Sequence, residues 1–74
     1  MDNLDRFKNF IKTADFTPAM LGEINTLIFH EWDEKKAKDI FPNDIVSFIS
    51  SNKDDQVIGE NIHHALLPQN LRSE

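Results

Sequence analysis

Residues 17–38, TPAMLGEINTLIFHEWDEKKAK, form the longest stretch of one period in the chain and hold its clearest helix start and its only Trp. Thr17 can cap the free N–H groups of a first turn, and Pro18 suits the first helical position, where no N–H is needed. Phe16, just before the cap, can staple onto Leu21. At about 100° per residue, Met20, Leu21, Ile24, Leu27, Ile28 and Trp32 fall on one apolar stripe less than half the circumference wide. The spacing predicts one helix from Thr17 to about Lys38, with that stripe as the main face of the core. Glu31 and Lys35, and Glu34 and Lys38, stand four apart with the acid first, the better order for helix ion pairs. Beyond Trp32 the phase is lost: the stripe would continue on Lys35, while Ala37, Ile40 and Phe41 lie opposite. The helix therefore ends or kinks near Lys38. Gly22 is the oddity within it, since an interior glycine costs up to about 1 kcal/mol against Ala. Either the helix tolerates it or another backbone comes close there.

Upstream, Asp2 or Asn3 can cap a first helix whose apolar positions Leu4, Phe7, Ile11 and Ala14, with Phe10 beside them, repeat at three and four. Its outer face carries Arg6, Lys8, Asn9 and Lys12. Asp15 and Phe16 make a connection short enough to favour an antiparallel hairpin between the first and second helices. Downstream, Pro42 breaks the helical pattern, and Asn43 or Asp44 can cap a third helix burying Ile45, Phe48 and Ile49. A strand is the rival reading of that segment, but no second strand is available to pair with it. The acids of Asn52 to Asp55 can cap a fourth helix with Ile58, Ile62, Ala65 and Leu66 on one face. Pro68 stops that helix, and residues 69–74 are expected to fray. The pattern predicts an all-α fold: one domain over 1–74, a small four-helix bundle, orthogonal or up-down, in which three helices are long and one short in the variant arrangement.

With 74 residues and no Cys, the chain has a single small core that contributes no more than about 3 to 5 kcal/mol and has no disulfide to add to it. The lack of Cys also rules out thiolate metal sites and Cys nucleophiles, and it fits a reducing compartment, so a cytoplasmic location is expected. No signal-like apolar run and no membrane span is apparent. Charge narrows the function classes further. Thirteen acids against eight Lys and Arg give a net charge of -5, and the densest basic run, Lys35, Lys36 and Lys38, is interleaved with Asp33, Glu34 and Asp39. That is the composition of a solvated helix face rather than of a nucleic-acid groove.

No constellation of residues forces a chemistry. His30-Glu31-Trp32-Asp33-Glu34 begins like the zinc protease motif, but Glu34 stands where the second His ligand belongs. Glu60 and His63 match one Glu-x-x-His element of helical di-metal sites, which need two such elements. A homodimer could supply the second, but both residues face away from the expected core. Ser50 to Asn61 has the outline of a calcium loop, yet Asp55 replaces the turn Gly and Asn61 the closing Glu. Neither an activated Ser nor a glycine-rich phosphate loop is visible. The expectation is a non-enzymatic module with no catalytic residue, metal or cofactor, which binds another protein as a regulator, inhibitor, immunity-type or adaptor subunit. Its partner-binding residues are expected to be Phe29, Ile40 and Phe41, apolar and off the main stripes, with Asp33 and Asp39 at the rim facing a basic patch on the partner. The alternatives are a helix-turn-helix nucleic-acid binder and a dimeric helical metal binder using Glu60 and His63.

Overall fold

The computed structural model describes residues 2–67, so the Pro68 stop and the fraying expected of 69–74 lie outside the described residues. Helix α1 (Asn3–Ala14) starts where Asp2 accepts a hydrogen bond from the Asp5 N–H at 2.8 Å. It ends at Asp15, whose φ of 54° puts it in the left-handed region, a conformation Asp tolerates better than most side chains. Helix α2 (Pro18–Phe29) opens as its sequence predicts, with Thr17 Oγ1 accepting from the Met20 N–H at 3.2 Å.

The single helix expected from Thr17 to Lys38 is instead two. The Thr26 carbonyl accepts from both the His30 and Glu31 N–H groups, each at 2.9 Å, and the chain turns through residues 30–33. The Asp33 carboxylate then accepts from the N–H groups of Lys35 and Lys36 at 3.0 and 3.3 Å, starting helix α3 (Glu34–Ile40) on a new axis. The Glu31 and Lys35 pair therefore no longer shares a helix. Glu34 and Lys38 still meet at 3.7 Å on an exposed face, a pair contributing at most about 1 kcal/mol. On the new axis Ala37 and Phe41 point inward and are buried. The loss of phase after Trp32 marks this second helix.

Helix α4 (Asn43–Asn52) has Pro42 at its N-cap and no side-chain cap bond, so neither Asn43 nor Asp44 caps it. Asp44 accepts instead from the Ile45 N–H at 3.0 Å and pairs with Arg6 of α1. Ile45, Val46, Phe48 and Ile49 are all buried, and no strand occurs among the described residues. Helix α5 (Gln56–Ala65) is capped by Asp55, which accepts from the Val57 and Ile58 N–H groups at 2.9 Å each. A Cβ at Gly59 would collide with the Lys53 carbonyl, so glycine is what lets α5 start so close to the end of α4.

The all-α class stands, with five helices rather than four among the described residues. The close helix pairs are α1 with α5 and α4, α3 with α4, and α4 with α5. The expected α1–α2 hairpin is not among them, and α2 joins the core through its side chains Leu21, Ile24 and Ile28. Phe7, Ile28, Val46, Ile49, Ile62 and Leu66 are the fully buried centre. Phe41 sits with its ring 5.8 Å from Phe7 and 5.3 Å from Phe10, and Phe10 lies 6.2 Å from Phe16. Met20, assigned to the core by its place on the stripe, is 43% exposed. None of the described helices is long and apolar enough to cross a membrane.

Candidate functional site

Separating α2 from α3 opens a cleft of about 840 Å³ between them. Its apolar surface is Phe16, Met20, Ile24, Leu27 and Ile40; its small residues, all on α2, are Ala19, Gly22 and Thr26. The charged lining is Glu23 on α2, Glu31 in the link, and Lys36 and Asp39 on α3. The local sequence accounts for each placement. Leu21, Ile24 and Ile28 turn one face of α2 to the core, which leaves Ala19, Glu23 and Thr26 outward at helical spacing. On α3, burial of Ala37 sends Lys36, Asp39 and Ile40 to the flank that faces α2.

Of the five residues expected to bind a partner, only Asp39 and Ile40 line this cleft. Phe41 is 3% exposed within the core, because the α3 axis directs it between Phe7 and Phe10. Asp33 is held as the α3 cap. Phe29 is half-buried with its ring edge-on to His63, centroids 5.9 Å apart at 83°. His63 Nδ1 lies 2.7 Å from Asn25 Oδ1, within hydrogen-bond distance. The expected patch is thus divided between cleft, core, cap and the α2–α5 contact. The sequence reading did not single out the other residues that line the cleft, among them Phe16, Ala19, Met20, Glu23, Leu27 and Lys36. The one oddity in this part of the sequence, Gly22, also lines the cleft, and a Cβ there would meet nothing within 4 Å beyond its chain neighbours and its own helix backbone.

The other constellations dissolve in the same way. His30 and Glu31 sit in the link, and Asp33 is committed to its cap. Asp55 of the calcium-like loop caps α5, and Asp54 pairs with Lys53 at 3.3 Å. Glu60 is exposed, while His63 faces Asn25 and Phe29. Among the described residues no group of three or more His, Cys, Asp or Glu could hold a metal ion. Helices α4 and α5 have a helix-turn-helix outline, joined by residues 53–55. The exposed residues there include Asp54, Asp55 and Glu60, and Lys53 is drawn over the Trp32 ring at 5.8 Å from its centroid. Lys53 is the one Lys or Arg among the described residues of these two helices and their link, so those residues form no basic face for phosphates.

No family model, curated protein or solved structure matches this chain.

Proposed function

We propose that this chain is a small acidic protein-binding module, acting as a regulator, inhibitor, immunity-type or adaptor subunit, whose contact surface is the α2–α3 cleft. In this reading it works by binding and carries out no reaction of its own. The observation that carries the proposal is the cleft itself: Met20 at 43% exposure and the side chains of Leu27, Phe16 and Ile40 give apolar surface at one concave site. Apolar anchors bordered by charge are the usual centre of a protein interface. Glu23, Glu31 and Asp39 outnumber Lys36 there, so the complementary partner surface is basic, and the acids would act mainly on the association rate.

The test begins with a photoreactive side chain at Met20, against a control at Glu60 on α5. The partner captured at Met20 is identified, purified and titrated against the wild type and Met20→Asp. The expected result is at least about a tenfold loss of affinity for Met20→Asp, the effect of losing one interface anchor, with an unchanged helical spectrum. Equal affinity for the two proteins would remove the cleft as the contact surface.

A further inference from the structure

We infer that the occupant of the α2–α3 cleft is an amphipathic helix with a basic flank, lying along α2 with its backbone nearest at Gly22; this rests on the protein-binding reading above. Gly22 has no conformational need to be glycine, since no glycine among the described residues has positive φ. It has no packing need within the chain either, because its Cβ position faces open space. In a helix interior glycine is a loss to the free protein. What it supplies is a low place on the helix surface where a second helix can approach closely. Ala19 and Thr26 stand one turn before and one turn after it on the same side, so the low strip runs most of the length of the helix.

The geometry favours a helix over an added strand. Strand addition needs a sheet edge, and the described residues contain no strand. A groove between two helices suits the helix-in-groove mode, in which apolar residues three and four apart enter the groove. The 12 residues of α2 extend about 18 Å, room for about three turns of a partner helix.

Charge decides between a foreign helix and a second copy of this chain. The cleft carries Glu23, Glu31 and Asp39 against Lys36, and the whole chain has a net charge of -5. The other exposed large apolar residue among those described is Val57, which lies near Asp54 and Glu60 in sequence and would bring like charge to the acids. The outer face of α1 carries Arg6, Lys8 and Lys12, but its Phe7 and Ile11 are buried in its own core. Neither of the exposed large apolar residues among those described, Met20 or Val57, thus brings cations to the acids of the cleft. A helix of another protein, with Lys or Arg flanking its apolar stripe, does.

The experiment is a selection from a displayed random library of peptides of about 16 residues, long enough for four helical turns, against the intact protein. The expected outcome is enrichment of sequences with apolar residues three and four apart and a surplus of Lys and Arg. The enriched peptides should be helical when bound and should shift the amide signals of Ala19, Met20, Gly22, Leu27 and Ile40. Their affinity should fall about tenfold between about 50 and 500 mM salt, as expected when exposed charges of opposite sign meet. Gly22→Leu should raise the melting temperature yet weaken peptide binding by at least about tenfold, a separation that a purely structural role could not produce. Enrichment of acidic or extended peptides, wild-type affinity in Gly22→Leu, or a concentration-dependent dimer of this chain closing over the cleft would each overturn the inference. If the natural partner captured at Met20 enters the cleft by a loop or an acidic segment, the inference fails and the broader reading stands. If Met20→Asp also leaves partner binding unchanged, both fail.

Discussion

At 3% exposure and between two aromatic rings, Phe41 links the end of α3 to α1. Phe41→Ala is expected to destabilise the fold by about 3 to 5 kcal/mol, as much as a core of this size contributes in all. The variant should give the far-UV spectrum of a largely unfolded chain at room temperature, and a melting curve close to wild type would place Phe41 outside the core. The two glycines should respond with opposite signs. Gly22→Ala meets open space and should stabilise by about 0.5 to 1 kcal/mol through helix propensity. Gly59→Ala drives a methyl group into the Lys53 carbonyl, backbone that cannot swing aside, and should destabilise by at least about 1 kcal/mol. Paired thermal melts decide the matter, and shifts of the same sign would contradict it. In the sequence these glycines look alike, each alone in a helix. What separates them is a carbonyl six positions before Gly59, brought near by the turn between α4 and α5. Periodicity also exchanged Met20 and Phe41, placing the first inside and the second outside, because it carried one axis through both.

The break between α2 and α3 comes from a contest between local signals of similar size. Continuing the helix would gain i,i+4 charge pairs of about 0.2 to 0.5 kcal/mol each. Stopping it gains the Asp33 cap, about 1 kcal/mol, and the burial of Ala37 and Phe41, which adds more than the pairs can return. The cap was hard to read because Asp33 lies in a run of charges that suits a helix equally well. Thr17 was legible as a cap, and Asp2 and Asp55 each as one of two candidates, because each stands at the edge of a clear apolar pattern. The candidate site follows the same division. Ile40 was visible as off the stripe and Asp39 as an acid at the rim of the expected patch, while Phe16, Met20 and Leu27 passed for connection and core until the second axis opened a cleft beside them. Asp33→Ala should cost about 0.5 to 2 kcal/mol and accelerate hydrogen exchange at the Lys35 and Lys36 amides, with Asp33→Asn recovering most of both. Unchanged exchange at those two amides in Asp33→Ala would show that α3 holds its first turn without the carboxylate.

All five helices contribute to one core, through Phe7, Ile28, Ala37, Ile49 and Ile62. Global unfolding should therefore be one cooperative transition, with helical signal and Trp32 fluorescence changing together. Beneath that transition the helices are unequally held. Helix α4 packs closely on α1, α3 and α5, whereas α2 is in none of the close pairs and is anchored by Leu21, Ile24 and Ile28. An element with few close backbone neighbours opens at a smaller free energy than the whole domain. The Ile24 and Ile28 amides of α2 are therefore expected to exchange faster than the Phe48 and Ile49 amides of α4 under native conditions. An occupant of the cleft contacts α2 directly, and by mass action it stabilises only the state in which α2 is docked. Adding one should slow exchange at Ile24 and Ile28 more than at Ile62 of α5. If α2 is already as protected as α4 in the free protein, it is not a separately opening unit, and ligand binding would then slow all five helices by the same factor.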